Sequence, residues 1–117
     1  MNNPNNPVFQ EHCKFCHFVN GEIDKKRIIY QDELVLAFTE MYPIAAFHIL
    51  IIPKIHIASA SEIVSGNSQY MARVYETAAK IAAQKNINSY SLFTRSGDEA
   101  GQTVYHLHHH IEWMNLH

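Results

Sequence analysis

The sequence predicts an α+β domain whose strands pair antiparallel, and three observations carry that prediction. Thr103 to Trp113 alternates as extended chain does, with His106, His108 and His110 on one face and Tyr105, Leu107, Ile111 and Trp113 on the other. A helix would scatter the three imidazoles at roughly 100° per residue and lose their clustering. Apolar segments over 27–31, 34–39 and 47–53 follow one another across short breaks, as neighbouring strands do. One long amphipathic segment, with Tyr70, Met71, Val74, Tyr75, Ala78, Ala79, Ile81 and Ala82 at helical spacing, is available to cover the sheet.

In chain order, residues 1–12 are expected to be a flexible tail and 13–117 a single domain, because the asparagine- and proline-rich start supplies no face to bury. After Cys13-Lys14-Phe15-Cys16 and the turn signal Asn20-Gly21, Arg27 to Gln31 reads as a first strand. Asp32-Glu33 turns it into a second, Leu34 to Thr39. Tyr42-Pro43 ends that hairpin. Phe47 to Pro53 is apolar almost throughout and closed by proline, so it is expected at the centre of the sheet, buried on both faces. Ser59 to Val64 suits a short helix, and Ser68 suits the cap of the long one. Asn86 and Asn88 close the long helix, Tyr90 to Thr94 reads as a fourth strand, residues 97–101 as a loop, and the histidine stretch as a fifth strand.

A chain of 117 residues buries roughly 65% of the surface its unfolded state exposes, so a metal or a second subunit would support so small a core. A net charge of −2 gives no basic field for a long nucleic acid. The start lacks the regions of a signal peptide, and the apolar run Ile49-Leu50-Ile51-Ile52 is far too short to span a bilayer, so a soluble, cytoplasmic protein is expected. Cys13 and Cys16, with two residues between them, point to metal or redox chemistry in a reducing compartment.

Three imidazoles on one face are costly, since repulsion and desolvation depress their pKa values. That cost is usual where neutral imidazoles serve as nucleophiles or metal ligands. An expression tag is the plain alternative, but tags are usually uninterrupted and this run continues as Ile111-Glu112-Trp113. His109 falls among the apolar positions, where a buried hydrogen bond or a sheet edge would account for it.

The pattern His106-Leu107-His108-His109-His110-Ile111, preceded by Gly101-Gln102-Thr103-Val104-Tyr105, closely resembles the signature of the histidine triad family of nucleotide hydrolases and transferases. Cys13-Lys14-Phe15-Cys16 with Asn20-Gly21-Glu22-Ile23, Val35-Leu36-Ala37-Phe38, and His48 to His56 resemble further blocks in the family's order. The likeness covers about residues 13 to 111 and is greatest to the Hint branch of small phosphoramidases. It implies a five-stranded antiparallel sheet with one long and one short helix, a homodimer, and cleavage of a purine nucleotide conjugate at its α-phosphorus through a nucleotidyl-histidine intermediate. His108 is then the nucleophile, His110 contacts the phosphoryl group and His48 supports the triad. Thr103 stands where a serine hydroxyl often helps the leaving group, and Gln102 borders the phosphate.

Cys13, Cys16, His56 and His106 match the zinc ligands of bacterial members. Two thiolates and two imidazoles form a closed tetrahedral set, the structural arrangement, and no catalytic cofactor is required. A redox pair is the other reading of the cysteines. Glu40 replaces an aspartate that usually holds the ribose hydroxyls, and Arg95 an asparagine that commonly contacts phosphate or ribose. Phe47 replaces a small residue before His48, and Ile111-Glu112-Trp113-Met114 the usual glycine-rich continuation. Two other readings follow: a nucleotide-binding regulatory module with weak turnover, and a histidine-rich metal-binding protein.

Overall fold

The computed structural model describes residues 9–41 and 47–113. The expectations for the first eight residues, for Tyr42-Pro43 and for Met114 lie outside the described residues. Five strands form one sheet: β1 (Ile28–Gln31), β2 (Val35–Thr39), β3 (Phe47–Pro53), β4 (Ser91–Phe93) and β5 (His109–Trp113). Their order is β1-β2-β3-β5-β4 and every pairing is antiparallel. The apolar 47–53 segment therefore sits in the middle, with β2 on one side and β5 on the other. Its residues from His48 to Pro53 are all buried.

Alternation divides the core between the two faces of the sheet. Val35, Ala37, Ile49, Ile51 and Ile111 meet Val74, Ala78 and Ile81 of the long helix α2 (Gln69–Gln84). Leu36, Phe38, Leu50 and Ile52 meet Phe9, Phe15 and Cys16 on the opposite face. Phe15 and Cys16 belong to a six-residue helix, α1 (Lys14–Val19), which starts where the Cys13 thiol accepts the Cys16 N–H at 3.2 Å. Phe9 is buried in the same cluster, so packed chain begins before Cys13.

Four sequence expectations need correction. The short helix lies over Lys14–Val19, while Ala60–Glu62 forms a single 3-10 turn. Ser68 precedes α2 without a side-chain cap; its hydroxyl donates instead to the Ser65 carbonyl at 3.4 Å. The buried stripe of α2 is narrower than its apolar pattern, because Tyr75 and Ala79 are exposed while Thr77 is buried. The last strand begins at His109, because the chain before it is pinned elsewhere: Leu107 N–H donates to the Ile57 carbonyl at 2.6 Å. Strand alternation thus places only His110 of the three triad histidines.

Asp32 closes the β1–β2 turn. Its carboxylate accepts from the N–H groups of Leu34 (2.8 Å) and Val35 (3.0 Å), the Tyr30 hydroxyl (2.7 Å) and Arg73 of α2 (2.7 Å). Burial alone would raise its pKa, but these donors together hold it well below the carboxylate range. Among the described residues no helix is long and apolar enough to cross a membrane.

Candidate active site and metal centre

The metal-ligand set comes together as the family resemblance implied. Cys13 Sγ lies 3.3 Å from His106 Nδ1, and Cys16 Sγ lies 3.4 Å from His56 Nδ1 and 3.6 Å from His106 Nδ1. All four donor atoms fall within 4.8 Å of one another, and neither cysteine is in a disulfide. With bonds of about 2.3 Å to sulfur and about 2.0–2.1 Å to nitrogen, a tetrahedral sulfur–nitrogen edge is about 3.6 Å, so the arrangement fits a zinc-sized ion. His106 donates its Nε2–H to the Pro53 carbonyl at 2.9 Å, which turns the Nδ1 lone pair toward the sulfurs. Burial holds His106 down to about 4 and pushes the Cys16 thiol up to about 12. Burial likewise lowers His56, against the pull of Glu62. A cation is what turns such a buried thiol into a ligand.

On the same side of the sheet, a cavity of about 340 Å³ is lined by Glu40, His48, Arg95, Gln102, Thr103, His108, His110 and Glu112, with Phe15 and Lys14 at its wall. The fold brings every residue expected at the catalytic and nucleotide sites to this one cavity, and His56 and His106 to the metal cluster instead. His108 donates its Nδ1–H to the His106 carbonyl at 2.8 Å. A carbonyl only accepts, so the neutral ring keeps its Nε2 as a lone pair. His106, whose ring belongs to the cysteine–histidine cluster, thereby orients His108 through its backbone carbonyl. Thr94 fixes the same stretch, donating its hydroxyl to the His108 carbonyl at 2.7 Å. Phe15 makes T-shaped contacts with both the His106 and His108 rings.

His110 sits beside His108 with ring centroids 5.1 Å apart, and its Nδ1 is 2.8 Å from His48 Nε2. Burial lowers its pKa first, and His108, His48, Arg95 and His109 add to the effect, holding it near 3. Phe93 stacks on the His110 ring at 4.8 Å and 7°, and the Arg95 guanidinium covers the other ring at 4.8 Å. Gly101 has φ +98°, which favours glycine, and a Cβ there would also press on the Arg95 side chain at 3.3 Å.

Gln102 lines the cavity with its amide already engaged. It donates to the carbonyls of Ala58 (2.8 Å) and Val104 (3.0 Å) and accepts from the Gly97 N–H (2.9 Å), so it braces the loop. Glu40 Oε1 accepts the Met41 N–H at 2.7 Å, leaving its other oxygen for a ligand. His109 is buried on the α2 face near Tyr75, and its Nδ1 has no hydrogen-bond partner among the described residues. Phe93 and Thr94 are site residues that sequence reasoning missed: strand pairing sets Phe93 opposite His110, and Thr94, just past β4, reaches the His108 carbonyl. Glu112 is another: it is the Cα partner of His48 across β3 and β5.

The chain is similar to known proteins in sequence and in fold. The family model described as "Scavenger mRNA decapping enzyme C-term binding" matches residues 12–115. The purine nucleoside phosphoramidase of Escherichia coli K12 is 39% identical over 103 residues, 86% of each chain. A HIT family hydrolase from Clostridium thermocellum superposes with a TM-score of 0.86 at 39% identity, over 92% of this chain and 96% of that one. A histidine triad protein from Clostridium difficile gives a TM-score of 0.85 at 33% identity, with the same coverage.

Proposed function

The chain belongs to the histidine triad (HIT) family, and from that premise we propose that it hydrolyses a nucleoside phosphoramidate or a related purine nucleotide conjugate at the α-phosphorus. The observation that carries this reading is the His108 ring, tied through Nδ1–H to the His106 carbonyl, with its free Nε2 left for the cavity. Neutral imidazole is a competent nucleophile near pH 7 and divides one hard displacement into two easier ones. In the first, His108 Nε2 bonds to phosphorus, the bond to the leaving amine breaks and the amine takes up a proton. In the second, water attacks phosphorus and gives up a proton to solvent, the bond from phosphorus to His108 Nε2 breaks, and the nucleoside monophosphate and neutral His108 are released.

His110 donates from Nε2 to the phosphoryl oxygens as charge grows on them. The Thr103 hydroxyl serves the leaving group, Arg95 adds charge-assisted donors at the phosphate, and Glu40 takes a ribose hydroxyl with its remaining oxygen. Gln102 holds the loop around the phosphate. Cys13, Cys16, His56 and His106 hold a structural zinc, whose chemistry is to cross-link the amino-terminal segment to the sheet and fix the His106 carbonyl. The exposed Tyr75 and Ala79 on α2 support a homodimer through that helix. Because Glu40 already spends one oxygen on Met41, a module that binds nucleotide and turns over weakly is the competing reading; rapid multiple turnover excludes it.

The test is His108→Asn, a similar shape without the nucleophile. Activity on a nucleoside phosphoramidate should fall by several orders of magnitude, with nucleotide binding and metal content unchanged. Intact-mass analysis of the wild type under single turnover should show an adduct one nucleoside monophosphate heavier, mapping to His108. Wild-type turnover by the variant, or an adduct on His110, overturns the assignment.

A further inference from the structure

Three groups meet on one face of the sheet because of strand register. His48 and Glu112 are Cα partners across β3 and β5, and His110 lies two residues before Glu112 on the same strand. His48 Nε2 is 2.8 Å from His110 Nδ1, and Glu112 Oε2 is 3.6 Å from that same His48 nitrogen. Two atoms of the group, His48 Nδ1 and Glu112 Oε2, are buried without a hydrogen-bond partner among the described residues.

For two neutral rings the 2.8 Å contact has two proton inventories. In one, His48 carries its proton on Nε2 and donates it to His110 Nδ1, so His110 carries its own on Nε2. In the other, His110 donates from Nδ1, and the His48 proton moves to Nδ1, where it meets no acceptor. The first leaves a bare lone pair in the core, the second an orphaned N–H, and orphaned buried donors are the rarer and costlier defect. The nearby carboxylate acts in the same direction, since an anionic oxygen 3.6 Å from His48 Nε2 favours a hydrogen on that atom over a lone pair.

We propose that Glu112 is a positioning residue that works through His48 to hold His110 as its Nε2–H tautomer, so that His110 presents a donor to the phosphoryl oxygens. The opposite tautomer would aim a lone pair at an anion. This inference rests on the phosphoryl-transfer reading above, but its direct readout does not. Glu112 lines the cavity and needs no contact with the reacting atoms.

The experiment uses the full chain, metal-loaded and labelled with 15N histidine. In the wild type, His110 should show a protonated Nε2 and an unprotonated Nδ1. Glu112→Leu and Glu112→Gln should both move the two His110 signals toward a mixture of tautomers, with metal content unchanged. Their kcat on a nucleoside phosphoramidate should fall about tenfold while KM moves less, the pattern of a transition-state contact. Should Glu112→Leu fail to fold, Glu112→Gln decides alone, since it keeps the side chain's length. A wild-type His110 protonated on Nδ1 overturns the proposal, as do signals unmoved in Glu112→Gln or a metal content that falls with Glu112, which would make it a ligand. A wild type with no phosphoramidase activity refutes the proposed function, and the spectrum still decides the tautomer.

Discussion

His109→Leu should stabilise this protein more in acid than at neutral pH. The ring is 4% exposed, sits on the α2 face with Tyr75 at 5.7 Å, and leaves Nδ1 without a partner among the described residues. Burial first, and then the charge of His108, hold its pKa down to about 4, against an ordinary value of 6.5. A depressed histidine lets the unfolded chain bind the proton first, so stability is lost as pH falls from about 7 toward 4. Linkage makes that loss roughly 2 kcal/mol at pH 5.0 and roughly 3 kcal/mol below pH 4. The unpartnered nitrogen adds about 1 kcal/mol at any pH. Leucine fills a similar volume and removes both. Urea unfolding at pH 7.5 and 5.0, at one protein concentration, reads the difference. The variant should match or exceed the wild type at pH 7.5, and its advantage should widen by roughly 2 kcal/mol at pH 5.0. His106 titrates in both proteins, while the charge of His109 that helps to lower His110 disappears with the ring, so the difference reads His109 together with its coupling to His110. Parallel losses in the two proteins would refute the reasoning.

Cys16→Ser should lower metal content and melting temperature together, and a chelator should abolish most of the difference from wild type; unchanged metal with altered thiol reactivity would contradict the site. Arg95→Asn should weaken substrates with extra phosphates or anionic leaving groups by several-fold relative to a plain phosphoramidate, so an unchanged substrate ranking removes Arg95 from recognition. The pH profile of kcat/KM should rise with pH, because burial lowers His108 and only the neutral ring attacks. Its midpoint should fall below 6.5, and a limb falling through that region would reverse the proton inventory.

The sheet was legible because its central strands announce themselves: an apolar run closed by Pro53, and a second apolar run over Val35 to Phe38 after the Asp32-Glu33 turn. Helix α1 was not, because six residues span fewer than two turns and give no period. What holds α1 is one local contact, the Cys13 thiol capping Cys16, and one distant one, Phe15 packing against Phe38 in the core. The histidine run misled as a strand from Thr103, since side-chain alternation also suits a segment held by single contacts to Pro53 and Ile57. Its grouping of His108 with His110 was nevertheless right, and the triad motif led to the cavity. Glu112 and Phe93 escaped notice for one reason. Each acquires its role across a strand pair, and no local pattern encodes which residues will be partners.

The Arg95–Phe93–His110 stack has a mechanical consequence. An imidazole that rotates half a turn about its ring bond puts carbon where nitrogen had been, so each such flip would idle the site until the ring swung back. Here the His110 plane is pressed against Phe93, whose neighbour Arg95 lies above Gly101, and rotation requires the layer to part. Orientation is thus held between turnovers rather than regained at each one, a saving in activation entropy built into the resting protein.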